Sequence, residues 1–211
     1  VNEIDADLIL IAGDMITSTP NYIDYAGKKI GELKAKNGVF GCVGDHDNWA
    51  YRSDNLRSRN EVIASLADNN VEMVDNDKRT IRLGDATIGI SFITNTYSGR
   101  IEPSELERLT DGNFNPDLKI SLTHQPREYL LEAAIKHNYD LYLCGHTHGG
   151  QVSFIFPFIY LSPTLVETKF VRGNFYFDNL LMIVNRGLGV SVAPLRYNST
   201  PEITVITLNR K

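Results

Sequence analysis

Cysteine is scarce in this chain. Its 211 residues include two, Cys42 and Cys144, and both sit in apolar, strand-like runs. A disulfide framework needs more cysteines in a shorter chain, so both are expected as buried, reduced thiols. Basic clusters are missing too. No run of Lys and Arg is longer than two or three residues and the net charge is -5, which argues against a nucleic acid polymer as partner. No stretch is long and apolar enough to cross a bilayer, and no signal peptide is visible. No internal repeat or linker interrupts the chain. With 42% apolar residues the composition is that of an ordinary globular core, and residues 1–211 are expected to form one domain. The chain opens on Val1 rather than Met, within a few residues of a strand, so an N-terminal piece is expected upstream. Localisation stays open: cytoplasmic, or membrane-associated where such a piece carries an anchor.

What the sequence does have is a set of short apolar runs that each end in polar residues. Leu8-Ile9-Leu10-Ile11-Ala12 leads into Gly13-Asp14, and Val39-Phe40-Gly41-Cys42-Val43 leads into Gly44-Asp45-His46-Asp47. Residues 118–123 lead into His124. Leu141-Tyr142-Leu143-Cys144 leads into Gly145-His146-Thr147-His148-Gly149-Gly150. Continuous apolar runs of this length are strands buried on both faces. The carboxyl ends of such strands are where open α/β sheets place their ligands. Helical spacing is expected over residues 22–36, 58–69, 102–109 and 129–136. Further strands are expected at 71–74, 79–83, 86–92, 180–184 and 203–208, with an antiparallel arrangement over 71–92. Residues 2–6 read as a helix tail or a connecting turn. Residues 154–160 are aromatic and carry Pro157. They suit a lid, an edge strand or a partner surface in contact with something apolar; the plainer alternative is a segment packed on its own domain.

An isolated Gly-Asp is most simply a turn or a helix N-cap. The set carries more information than any member. Asp14, Asp45, His46, Asp47, His124, His146 and His148 all follow buried strands, and they include four of the five histidines. The fifth, His137, falls at a helix end, where solvation is the expectation. Asp and His together suit Mn²⁺, Fe²⁺ or Zn²⁺ rather than Mg²⁺ or Ca²⁺. A thiolate site is excluded by spacing, since Cys144 has no cysteine partner near it.

Gly13-Asp14, Gly44-Asp45-His46-Asp47, His124 and Gly145-His146-Thr147-His148 resemble, in order and spacing, the successive motifs of the calcineurin-like metallophosphoesterases. The resemblance covers residues 7–151. The run from His146 to Gln151, with Gly187-Leu188-Gly189, Pro194-Leu195-Arg196 and Pro201-Glu202, is similar to a bacterial branch of membrane-associated phosphodiesterases, some of which cut the pyrophosphate of UDP-diacylglucosamine. The implied fold is a four-layer α/β/β/α sandwich of two mixed sheets flanked by helices, here without its first strand. The implied activity is hydrolysis of a phosphoester or pyrophosphate bond by a metal-bound hydroxide. A lipid-linked or nucleotide substrate and contact with a membrane surface are the implied partners. Asp14 would bridge two divalent ions, with Asp45, His124 and His146 completing one shell and His148 serving the other. His46 would act on the phosphate as electrostatic stabiliser or general acid, and Asp47 would hold the His46 ring.

Two departures bear on these roles. The family usually has Asn at the position of Asp45. A carboxylate there still offers oxygen to a metal, and its added charge is expected to tighten binding and lower turnover without abolishing it. The first family motif, Asp-x-His, is absent, so the second metal keeps only Asp14 and His148. A catalytically impaired scaffold of the same fold is therefore the alternative function. A metallo-β-lactamase-like site would need an Asp-His pair directly after His-x-His, and Gly149-Gly150 stands there instead. Arg196 is a candidate contact for a substrate phosphate, with a structural role as its alternative.

Overall fold

The computed structural model describes residues 1–111, 113–157 and 159–209, the backbone alone at 159 and 160. A 3₁₀ turn at Asn2–Ile4 precedes the first strand. Strands β1 (Ile9–Ile11), β2 (Val39–Cys42) and β3 (Val71–Val74) form a parallel sheet in that order. Helices α1 (Ile23–Ile30) and α2 (Asn55–Ala67) are its two crossovers. Next come β4 (Asp77–Leu83), β5 (Ala86–Ile93), α3 (Pro103–Thr110), β6 (Leu118–Thr123), α4 (Glu128–Lys136) and β7 (Leu141–Cys144). A two-stranded hairpin, β8 (Phe154–Phe156) with β9 (Ile159–Leu161), stands apart. Strands β10 (Gly173–Phe177) and β11 (Leu180–Val184) complete a six-stranded mixed sheet ordered β10-β11-β7-β6-β5-β4.

The layering follows from alternation along the strands. In β1, Leu10 faces the second sheet with Phe40, Cys42 and Val74, against Ile88, Ile90, Phe92, Ile120 and Leu122. Ile9 and Ile11 face the other way, onto α1 and α2 through Ile23, Val62 and Leu66. The far side of the large sheet packs Tyr142, Cys144 and Met182 against Leu109 of α3 and Leu130 and Ala134 of α4. The result is four layers, α/β/β/α. Strands β1, β2, β6 and β7 all finish at one lip of this sandwich, two from each sheet, and that common end positions the site.

Several expectations are corrected. Strand β3 does not join an antiparallel group; it pairs parallel with β2, and only β4 and β5 form the antiparallel hairpin. Helix α1 stops at Ile30 with Gly31 as its cap, although Leu33 and Ala35 beyond it still pack on the same core. Strand β10 lay outside the expected elements; it forms a hairpin with β11 through Asp178-Asn179. Residues 203–208 are not a strand. They carry no regular element, and the segment is held by Glu202 N–H on the Gly187 carbonyl at 3.1 Å and by Asn185 on the Thr204 hydroxyl at 2.7 Å. Their β-branched composition favours pairing, but no sheet edge among the described residues meets them. Strand β8 exposes its apolar side chains: Phe154, Ile155 and Phe156 are 48%, 59% and 52% exposed. Phe158 lies outside the described residues. His137 is half-buried beside Glu107, with 3.2 Å between Nε2 and the carboxylate, rather than solvated.

Candidate metal centre

Four side chains converge at the lip. Ligand atoms of Asp45, His124 and His146 lie within 4.8 Å of one another. His124 Nε2 is 3.1 Å from Asp14 Oδ2 and 3.4 Å from Asp45 Oδ2. His146 Nδ1 is 3.0 Å from Asp45 Oδ2 and 3.2 Å from His124 Nε2. Both imidazoles are fixed from outside. His124 Nδ1 is 2.6 Å from the Ala12 carbonyl, and His146 Nε2 is 3.0 Å from Glu167 Oε1. Each ring thus turns its other nitrogen toward the shared point, as metal-binding histidines do.

The backbone explains why glycine precedes both aspartates. A Cβ on Gly44 would lie 2.2 Å from the Asp14 nitrogen, and one on Gly13 would lie 2.7 Å from the Gly44 Cα. The loops after β1 and β2 touch backbone to backbone, and only glycine allows that approach. Asp14, His146 and His148 all hold left-handed backbone, with φ of 56°, 67° and 52°. Such conformations cost energy in non-glycine residues and collect at functional sites.

Charges are strongly coupled here. Burial works to raise the Asp14 carboxyl, but the His124 and His46 imidazoles outweigh it and hold it well below the usual range. Burial works to lower His124, and the carboxylates of Asp14 and Asp45 overrule it. His148 is the opposite case. Burial and the Arg196 charge bring it down to about 4, so it stays neutral near pH 7. Its Nδ1 is buried with no hydrogen-bond partner. A dense cage of carboxylate oxygens and imidazole nitrogens, together with an unpartnered neutral imidazole, fits divalent ions of the borderline class.

Two expected roles change. Asp47 does not touch the His46 ring. Its carboxylate, 0% exposed, accepts from the backbone N–H groups of Gly44 (2.8 Å), Asp14 (3.0 Å) and Met15 (2.8 Å). It clamps the loops that carry Asp14 and Asp45. The His46 ring is held instead by the Thr17 carbonyl at Nδ1, by Ser191 Oγ at 3.2 Å from Nε2, and by Trp49 edge-on at 4.8 Å. Arg196 does not reach out for a phosphate. Its guanidinium donates to the carbonyls of His148, Arg186, Gly189 and Ser199 and so closes the loop before the C-terminal segment.

Gln125, Glu167 and Tyr97 also belong to the site and were not anticipated. Gln125 donates to both oxygens of Asp45 at 3.0 and 2.9 Å. The Tyr97 N–H donates to Asp45 Oδ1 at 2.7 Å, and its ring meets His146 edge-on at 5.6 Å. Gln125 could have been suspected as the neighbour of His124. Glu167 follows a 3₁₀ turn far from every motif, with no local signal.

The sandwich is a two-sheet α/β fold, and the Asp/His cluster at its lip is a candidate metal centre. Residues 1–150 match the family model for the calcineurin-like phosphoesterases. The chain belongs to that family. It is 31% identical to "Uncharacterized metallophosphoesterase YkuE" of Bacillus subtilis over 99% of this chain and 70% of that protein. It is 25% identical to a zebrafish (Danio rerio) transmembrane protein with a metallophosphoesterase domain, over 100% of this chain and 47% of that protein. It therefore spans under half the length of the zebrafish relative. Among solved structures, a Staphylococcus aureus protein assigned as a 5'-nucleotidase, in complex with alpha-ketoglutarate, superposes at a TM-score of 0.57. That match has 13% identity and covers 96% of this chain and 46% of the other, so the likeness is one of fold.

Proposed function

We propose that this protein is a metal-dependent phosphodiesterase or pyrophosphatase acting on a lipid-linked or nucleotide phosphoester. The convergence of Asp45, His124 and His146 within 4.8 Å, with Asp14 3.1 Å from His124, carries the proposal. Asp14, Asp45, His124 and His146 would hold one ion, and Asp14 with His148 would contribute to a second. Mn²⁺, Fe²⁺ or Zn²⁺ fits these donors. Bound divalent ions supply charge against the phosphoryl oxygens and lower the pKa of water. His46 is the proton-handling group. Nδ1 is turned to the Thr17 carbonyl, and Nε2, 3.2 Å from Ser191 Oγ, would exchange that hydroxyl for the leaving oxygen.

The exposed β8–β9 hairpin, with Phe154, Ile155, Phe156 and Leu161, supports an acyl-bearing substrate or contact with a membrane surface. The transmembrane relative points the same way. No helix among the described residues is long and apolar enough to cross a membrane. Hydrolysis of bis(p-nitrophenyl) phosphate with Mn²⁺ tests the proposal; turnover that vanishes in Asp14→Asn is the expected result. Metal binding without turnover would favour the second reading, a catalytically impaired scaffold. That reading draws on the single three-ligand cluster found among the described residues.

A further inference from the structure

Glu167 lies outside the residues 1–150 that match the family model and outside every sequence motif. It nevertheless closes a ring of polar contacts around the candidate metal ligands. Starting from His146, Nδ1 meets Asp45 at 3.0 Å, and Asp45 accepts from Gln125 at 2.9 Å. Gln125 Oε1 accepts from Arg127 Nε at 3.0 Å, and Arg127 Nη2 donates to Glu167 Oε1 at 2.5 Å. The same Glu167 oxygen lies 3.0 Å from His146 Nε2. The segment carrying Glu167 is pinned at both ends, by Ser162 Oγ on the Gly150 carbonyl at 3.3 Å and by Thr168 Oγ1 on the Pro126 carbonyl at 3.2 Å. One pin sits on the loop of His146 and the other beside His124.

We propose that Glu167 is a positioning residue of the metal centre, holding the proton of His146 on Nε2 so that Nδ1 faces the ion. This rests on the metal-centre reading. The chemistry is that of a carboxylate behind a ligating imidazole: it fixes the tautomer, orients the ring and raises the basicity of the ligating nitrogen. Without it, His146 Nε2 keeps only the Tyr97 hydroxyl at 3.4 Å, a long contact to a neutral group. Arg127 ties the positioning group to the Asp45 side of the same shell, so two ligands are set by one network. The segment after the hairpin thereby serves the metal and does more than link two strands.

The test uses the metal-free chain and its Glu167→Ala and Glu167→Gln variants, titrated with Co²⁺. Affinity is read by competition with a chelator and ligand geometry by the visible spectrum. Glu167→Ala is expected to bind about 10–100-fold more weakly, with an altered spectrum. Glu167→Gln keeps an oxygen acceptor of the same shape and is expected to fall between the two, with far-UV circular dichroism like that of the parent. If both variants bind within twofold of the parent and share its spectrum, the positioning role is wrong while the metal centre stands. If the parent binds no Co²⁺, the metal-centre reading itself fails, and this inference with it.

Discussion

Asp47 gives the sharpest test of the site, because its two candidate roles predict different measurements. As a brace for His46 it would matter for turnover and little for folding. As the structure has it, Asp47→Ala strips the acceptor from three N–H groups, those of Gly44 and Met15, which are buried, and that of Asp14, which is partly buried. An unpaired buried donor costs about 1–3 kcal/mol, so three would cost about 3–9 kcal/mol if the pocket stayed dry. Part of this is offset. Burial and the nearby Asp14 charge push the Asp47 carboxyl up from 3.8 to about 6. Ionising it at pH 7 therefore costs the folded state about 3 kcal/mol, which alanine does not incur. The net expectation is a loss of about 3 kcal/mol in urea denaturation of the metal-free protein. The pH dependence has a definite sign. A carboxyl raised in the folded state adds stability below its unfolded value of 3.8 and loses that stability as pH rises through about 6. The destabilisation by Asp47→Ala should thus be about 1–2 kcal/mol larger at pH 5 than at pH 7. A variant within about 0.5 kcal/mol of the parent at both pH values, yet as inactive as His46→Ala, would refute the clamp and restore the brace.

Three further outcomes follow from the same geometry. Gly44→Ala places a methyl 2.2 Å from the Asp14 nitrogen, so Asp14 must move; equilibrium dialysis should show metal affinity falling at least tenfold, and unchanged affinity would mean that the two loops separate easily. Asp45→Asn puts an amide NH₂ where Tyr97 N–H and Gln125 now donate, so metal binding should weaken by calorimetry; faster turnover at saturating metal would support the expectation that the carboxylate slows the reaction. Arg196→Met removes donors from four backbone carbonyls; limited proteolysis should cut within residues 187–199 sooner, while KM for a small phosphodiester stays within about twofold if the guanidinium does not touch substrate.

The strand ends were legible because buried parallel strands read as unbroken apolar runs, and a parallel sheet puts its ligands where those runs stop. Asp14, Asp45 and His146 are each the first charged or imidazole group past such a run, and His124 directly follows the alternating strand Leu118–Thr123, so order along the chain was enough to collect them. Partnership was harder to see. Val71–Val74 looks the same in sequence whether it turns back on β4 or crosses over to β2. Residues 203–208 have the composition of a strand and pair with nothing among the described residues. Roles that depend on tertiary contact were the least visible: Arg196 looks like a phosphate ligand until its carbonyl partners are known, and Glu167 has no local pattern at all.

The repeated Gly-Asp shows how ligand placement and backbone packing are one requirement at this lip. Asp14 can reach the shared point only because Gly13 and Gly44 let two loops touch through their backbones. Once they touch, Gly44, Asp14 and Met15 direct three N–H groups into a space closed to water, and an acceptor must fill it. Asp47 is that acceptor, which accounts for a second aspartate two residues after Asp45. His124 then ties this unit to the other sheet through its 2.6 Å contact with the Ala12 carbonyl. On the proposed function, the spacing Gly-Asp-His-Asp would supply a ligand and a proton carrier, followed by the structural acceptor Asp47. Only the first two would be expected to respond to metal or substrate, while the third should respond to denaturant.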